Sequence, residues 1–147
     1  ETPNLVRVLE DPNIQIIGHF LRADKKALEF FLKPKFKIKN IFDTKVASRL
    51  VRRYDSEHGL ARLCQEFCGV KLDKKMASSD WEKPISDFSE KEKSYAAADV
   101  QYLFLIKTKL ETMLKREKRY EIFLKCMEFL DTRIEMDNQG FDKIFDH

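Results

Sequence analysis

The chain has 147 residues, 43% of them hydrophobic with 12 Phe, and 36% charged with a formal net charge of +3 at pH 7. That is enough apolar area for one domain with a real core, and the mixed signs exclude a uniformly cationic surface. No apolar run approaches the roughly 18 residues of a membrane span, no signal-peptide pattern opens the chain, and Cys64, Cys68 and Cys126 lack zinc-ligand spacing. The expectation is a single globular domain from a reducing compartment, cytoplasmic and without a membrane partner.

In chain order, Thr2-Pro3 reads as an N-cap followed by proline at the first helical position, with Leu5, Val8 and Leu9 as an apolar stripe to about Asp11. Asp11-Pro12-Asn13 is a turn, and Ile14 to Gly18 is β-rich and reads as a largely buried strand. A helix is expected from Ala23 to Leu32, stopped by Lys33-Pro34. Lys35 to Lys39 alternates lysine with Phe36 and Ile38, the pattern of one solvated face, and Ile41-Phe42-Asp43 is a second short strand. The following KVASRLVRRY is helical, with Val46, Ala47, Leu50 and Val51 inward and Arg49, Arg52 and Arg53 outward. A loop from Asp55 to Gly59 precedes a helix over Leu60 to Cys68 that Gly69 ends. Val70 to Phe88 is irregular and lysine-rich, with Trp81 as its anchor in the core. One helix is expected from Ser89 past Leu114 and a last one over Tyr120 to Asn138, closed by Gly140. Two short strands among many helices indicate an α/β domain.

The most informative stretch is Ser89 to Lys109. Ser89 and Glu92 form a capping-box pattern that starts the helix. Within it Tyr95 and Asp99 stand four apart, so a phenol and a carboxylate share one face about a turn from each other. Taken alone, such a pair is more often a surface hydrogen-bonding couple than a site. The Ala96-Ala97-Ala98 filling between them permits close approach of sheet or substrate.

The run Tyr95-Ala-Ala-Ala-Asp99-Val-Gln-Tyr-Leu, preceded by Leu72-Asp73-Lys74-Lys75 and Ser79-Asp80-Trp81, resembles the third exonuclease motif of the ribonuclease D-like DEDDy 3′-to-5′ exonucleases. Tyr95 and Asp99 match that family's Tyr-x-x-x-Asp signature, and His19-Phe-Leu-Arg-Ala-Asp24 places Asp24 at its second motif. The resemblance continues through Ile41-Phe42-Asp43-Thr44 and His58-Gly59-Leu60 to the C-terminal helices, and is greatest to short bacterial ribonuclease D-like proteins. The family's first motif, Asp-x-Glu, belongs some tens of residues before Asp24, and nothing from Glu1 to Gly18 matches it. The chain also begins with Glu1 and not Met, which points to a natural N-terminus further upstream.

The resemblance implies a helix-rich ribonuclease H-like exonuclease fold without the early strands of its sheet. It implies hydrolysis of phosphodiester bonds at the 3′ end of RNA or single-stranded DNA with two divalent ions, Mg²⁺ or Mn²⁺. Asp24 and Asp99 would be metal ligands and Tyr95 would orient the attacking water. Phosphodiester hydrolysis needs an activated water and a stabilised leaving oxygen, which two ions about 4 Å apart supply, and hard ions take carboxylate oxygens. The chain as given is expected to be inactive, since the absent motif supplies two of four carboxylates in that family.

Several residues admit two readings. Asp24 is a ligand or the N-cap of the following helix, and Asp43 borders the site or caps the next helix. Phe20 stacks on a terminal base or belongs to the core. Arg22, Lys25 and the other basic residues of the first half contact phosphates or form a solvated face. His19 and His58 read as structural. The alternative to an exonuclease is a non-catalytic nucleic-acid-binding or adaptor module with the same fold, and a third reading is a purely structural helical domain.

Overall fold

The computed structural model describes residues 3–32, 36–72 and 83–146, with the side chains of residues 85, 98 and 99 outside that description. Helix α1 (Pro3–Glu10) leads to strand β1 (Ile16–Gly18), helix α2 (Leu21–Leu32), strand β2 (Ile41–Asp43) and helices α3 (Thr44–Val51) and α4 (Leu60–Cys68). After a short 3₁₀ turn at Ile85–Asp87 come α5 (Glu90–Gln101), α6 (Leu103–Arg116), α7 (Tyr120–Glu128) and α8 (Leu130–Gln139). Trp81 lies outside the described residues.

Strands β1 and β2 pair in parallel, Ile16 opposite Ile41 and Gly18 opposite Asp43, with α2 as the crossover between them. A two-stranded sheet is marginal alone, so helix packing sustains it. Helix α6 is the central post: Leu103, Ile106, Leu110 and Leu114 are buried along one face. They meet Phe42 of β2, Ala47 and Val51 of α3, Leu63 and Cys64 of α4 and Phe123 of α7. The Phe42 and Phe123 rings tilt together with centroids 4.6 Å apart. A second cluster forms around Leu9, Phe36 and Ile38. Phe36 and Ile38 are buried while Lys37 and Lys39 are exposed, so the lysine alternation resolves into one wet and one dry face without strand pairing.

Caps end the helices where the residue types require it. Ser89 and Glu92 make the full capping box, the Ser89 hydroxyl accepting from the Glu92 N–H at 3.2 Å and the Glu92 carboxylate accepting from the Ser89 N–H at 2.8 Å. Gly69 and Gly140 terminate α4 and α8 in the left-handed conformation.

Three expectations are corrected. The helix read from Ser89 past Leu114 is two helices meeting at Tyr102, because α5 is largely solvated whereas Leu103 onward must turn into the core. The last helix likewise divides at Phe129, which lets both Phe123 and Leu130 be buried. Arg52 does not face outward. It is fully buried and closes α3, its guanidinium donating to Ser48 Oγ (3.0 Å), the Glu57 carbonyl (2.8 Å) and Asp55 Oδ2 (2.7 Å), and pairing with Glu66. With α3 ending at Val51, the chain turns back there and gathers acceptors from the next two segments around the guanidinium.

Leu110 sits at the centre of the main core with no exposure. Leu110→Ala should cost about 3 kcal/mol through lost transfer energy and a residual cavity, read as a lowered urea midpoint at unchanged m-value.

Candidate active site

Register places Gly18 opposite Asp43 at the C-terminal ends of the two strands, where α2 and α3 begin. The Asp43 carboxylate is buried there and caps both helices. Oδ1 accepts from the backbone N–H of Lys45 (2.8 Å), Val46 (3.3 Å) and Phe20 (3.1 Å), and Oδ2 from that of Leu21 (2.8 Å). Each helix start leaves unsatisfied N–H groups and a partial positive charge, so one anion serves two sites. The N-cap reading of Asp43 therefore holds, with a reach across the sheet that its own helix does not explain.

The β1–α2 turn is tight around this anchor. A Cβ on Gly18 would lie 2.3 Å from Leu21 Cδ2, and Leu21 is buried, so only glycine fits there. Phe20 adopts φ 64°, an uncommon conformation for a bulky residue. It is held by its N–H bond to Asp43, and such strain persists only where surrounding contacts over-determine it. Phe20 is 41% exposed, which removes the core alternative. The Lys45 ammonium lies 4.3 Å and the Arg22 guanidinium 5.5 Å from its centroid.

His19 and Thr44 lock the same corner. The Thr44 hydroxyl donates to the Gly18 carbonyl (2.9 Å), so at 3.0 Å from His19 Nδ1 it can only accept, and the imidazole carries its proton on Nδ1. Burial pushes the His19 pKa from 6.5 down to about 4, opposed by the Asp43 charge and assisted by that of Lys45. His58 is also structural: its Nδ1 accepts from Ser48 Oγ at 2.9 Å, and burial followed by the Arg52 charge lowers its pKa.

Asp24 stands in the first turn of α2, three residues inside the helix start, so it is not the N-cap. Its carboxylate is exposed and has no hydrogen-bond or ion-pair partner among the described residues. Arg22, half-buried, pairs with Asp137 of α8 at 3.3 Å. Lys25 departs from its expected role as a phosphate contact. Its side chain is 1% exposed, and the ammonium pairs with Glu29 and with Asp131 (2.7 Å) and donates to the Ile38 carbonyl (3.2 Å). Because Lys25 follows Leu21 by one turn, it shares that residue's inward face.

Tyr95, half-buried, and Asp99 both fall within α5, one turn apart along its axis. The Asp99 side chain lies outside the described residues. Helix α5 packs on α6, and α6 touches β1, which leads into α2 and Asp24. Among the described residues no three or more His, Cys, Asp or Glu side chains gather as a metal site. No helix among them is long and apolar enough to cross a membrane.

A sequence model for 3′–5′ exonuclease domains matches residues 1–115. Ribonuclease D of Escherichia coli strain K12 is 36% identical over 108 residues, which are 72% of this chain and 27% of that protein. The structure of Brucella melitensis NrnC with bound Mg²⁺ superposes with TM-score 0.85 at 38% identity, covering 96% of this chain and 66% of that one. NrnC bound to pGG gives TM-score 0.84 at 38% identity, over 95% of this chain and 66% of that one. The helix-rich architecture around a small parallel sheet is thus a 3′–5′ exonuclease domain fold. The chain belongs to the 3′–5′ exonuclease family, and it spans about a quarter of the length of the curated ribonuclease D relative.

Replacing Asp43 by Ala strands four backbone donors at two helix starts and should cost about 3 kcal/mol, measured by denaturant unfolding. For His19, the unfolded chain takes up a proton below about 6.5 and the folded chain only near 4. Unfolding free energy therefore falls as pH drops through that window. His19→Gln should lessen this dependence between pH 6.5 and 4, seen by comparing urea midpoints of the two proteins across the range.

Proposed function

We propose that the full-length protein is a 3′-to-5′ exonuclease that removes nucleotides from the 3′ end of RNA or single-stranded DNA. The observation that carries this reading is the Tyr95-x-x-x-Asp99 pair on α5, within the stretch matched by the exonuclease family. The exposed, unpartnered Asp24 supports it from the other side of the sequence.

Carboxylate oxygens are the donors that Mg²⁺ and Mn²⁺ require, so Asp24 and Asp99 suit such ions in kind, and the Mg²⁺ in NrnC is consistent with this. When bound, two such ions supply an activated water and charge stabilisation for the leaving 3′-oxygen. Asp24 and Asp99 would hold them, and the Tyr95 hydroxyl would orient the water for attack. The solvent exposure of Asp24 leaves its oxygens open to an ion that keeps several waters. A strand end is favoured over a duplex interior because a single terminal nucleotide must be presented to these side chains, and the pGG bound to NrnC is consistent with that demand.

The alternative is a nucleic-acid-binding or adaptor module without hydrolysis. One experiment separates the two. Full-length protein incubated with a 5′-labelled single strand should shorten it stepwise from the 3′ end, releasing nucleoside 5′-monophosphates, with Mg²⁺ or Mn²⁺, and should leave it intact with EDTA. Asp99→Ala should abolish release, and Asp24→Asn should reduce it by at least about 10²-fold. Undiminished hydrolysis by Asp99→Ala would refute the assignment, while metal-independent binding without any hydrolysis by the unaltered protein would establish the adaptor.

A further inference from the structure

A cavity of about 230 Å³ opens between the starts of α2 and α3 and the corner where α7 meets α8. Phe20, Arg22, Lys45 and Arg49 line it from one side, Phe129 and Arg133 from the other. Phe129 and Arg133 lie beyond residue 115, outside the stretch the exonuclease family matches. Arg22 and Arg49 belong to the basic residues of the first half that the sequence offers as phosphate contacts, whereas Arg133 comes from the far end of the chain.

The charge balance at this cavity is unequal. Arg22 and Arg133 share one carboxylate, Asp137, at 3.3 and 3.4 Å, and Arg133 also donates to the Asp142 carbonyl at 2.7 Å. Asp43, the acid in the lining, has its oxygens turned to four backbone N–H groups. Lys45 and Arg49 have no carboxylate partner among the described residues. Two cations are thus left uncompensated at the mouth of a recess. Lys45 is steadied over the Phe20 ring, so its ammonium is placed before any ligand arrives. The strained φ of Phe20 holds that ring outward at the cavity edge.

We propose that this cavity is a phosphate subsite for single-stranded nucleic acid, with Lys45 and Arg49 binding the phosphodiester and the Phe20 and Phe129 rings flanking the sugar and base. The volume is below that of a drug-sized pocket, roughly 300 Å³ or more, and suits part of one nucleotide. Cations beside exposed aromatic rings match a ligand that alternates phosphate with flat apolar bases, and an acidic peptide has no counterpart for the rings. The subsite supplies affinity without chemistry. It rests on the exonuclease reading only in taking a nucleic-acid strand as the ligand.

Fluorescence anisotropy of the full-length protein with a 5′-fluorescein oligodeoxythymidylate in EDTA tests it without hydrolysis. Lys45→Gln/Arg49→Gln should weaken Kd by about 10-fold or more at moderate salt. It should also lower the magnitude of the log Kd against log salt slope by about 1.4, two phosphate contacts on a single strand. Arg49→Gln alone, at an exposed position, should give about half that slope change and guards against misfolding of the double variant. Lys118→Gln, at an exposed turn residue outside the cavity lining, should change neither. The subsite is overturned by an unaltered slope in both pocket variants, by an equal loss in Lys118→Gln, or by a polyglutamate that competes as well as the oligonucleotide. Loss of binding with intact Asp99-dependent hydrolysis supports the subsite. Unchanged binding with intact hydrolysis removes the subsite and leaves the exonuclease standing, and hydrolysis insensitive to Asp99→Ala removes the exonuclease alone.

Discussion

The Asp43 carboxylate couples the two strands to the two helices that follow them, and most of what surrounds the candidate site depends on that coupling. Parallel pairing brings the ends of β1 and β2 level, so α2 and α3 start side by side with their N–H groups converging. Without an acceptor those buried donors would each cost desolvation energy. Asp43 satisfies two at each helix from one position. The consequences run outward along α2. Gly18 is compressed against Leu21, Phe20 is forced into the left-handed region, and Asp24 is carried to the surface one turn later.

Cationic side chains in the first half of the chain meet divergent fates. Lys25 and Arg52 are buried, and each is surrounded by carboxylates and carbonyls that offset the cost of leaving water. Lys45 and Arg49 stay at a recess without carboxylate partners among the described residues. The difference is where each residue lies on its helix: Lys25 shares the inward face of α2 with Leu21, and Arg52 closes α3 where the chain folds back. Structural cations of this kind hold segments together, whereas uncompensated ones raise the local potential toward an anionic strand.

Much of the local architecture was legible in the residues. Ser89 with Glu92 announced the capping box of α5, Gly69 and Gly140 marked the ends of α4 and α8, and the alternation from Phe36 to Lys39 separated buried Phe36 and Ile38 from exposed Lys37 and Lys39. Helix continuity was harder to read. The apolar period runs on through Tyr102 and Phe129, and nothing local breaks it. The bends there arise because α5 and α6, and α7 and α8, are drawn to different partners.

For the candidate site, the sequence by itself determined the residue types and their local spacing: Tyr95 and Asp99 one helical turn apart, Asp24 after the strand ending at Gly18, and the likeness to an exonuclease family that both pairings carry. Those follow from short-range periodicity and chemistry. Only the tertiary structure decided which side chains are available. It buried Lys25 and Arg52, exposed Phe20 and Asp24, turned Asp43 into a cap for two helices, and brought Arg133 and Phe129 against Lys45 and Arg49. Such outcomes depend on contacts between segments far apart in the chain, and the pattern within any one segment does not encode what the opposing segment presents.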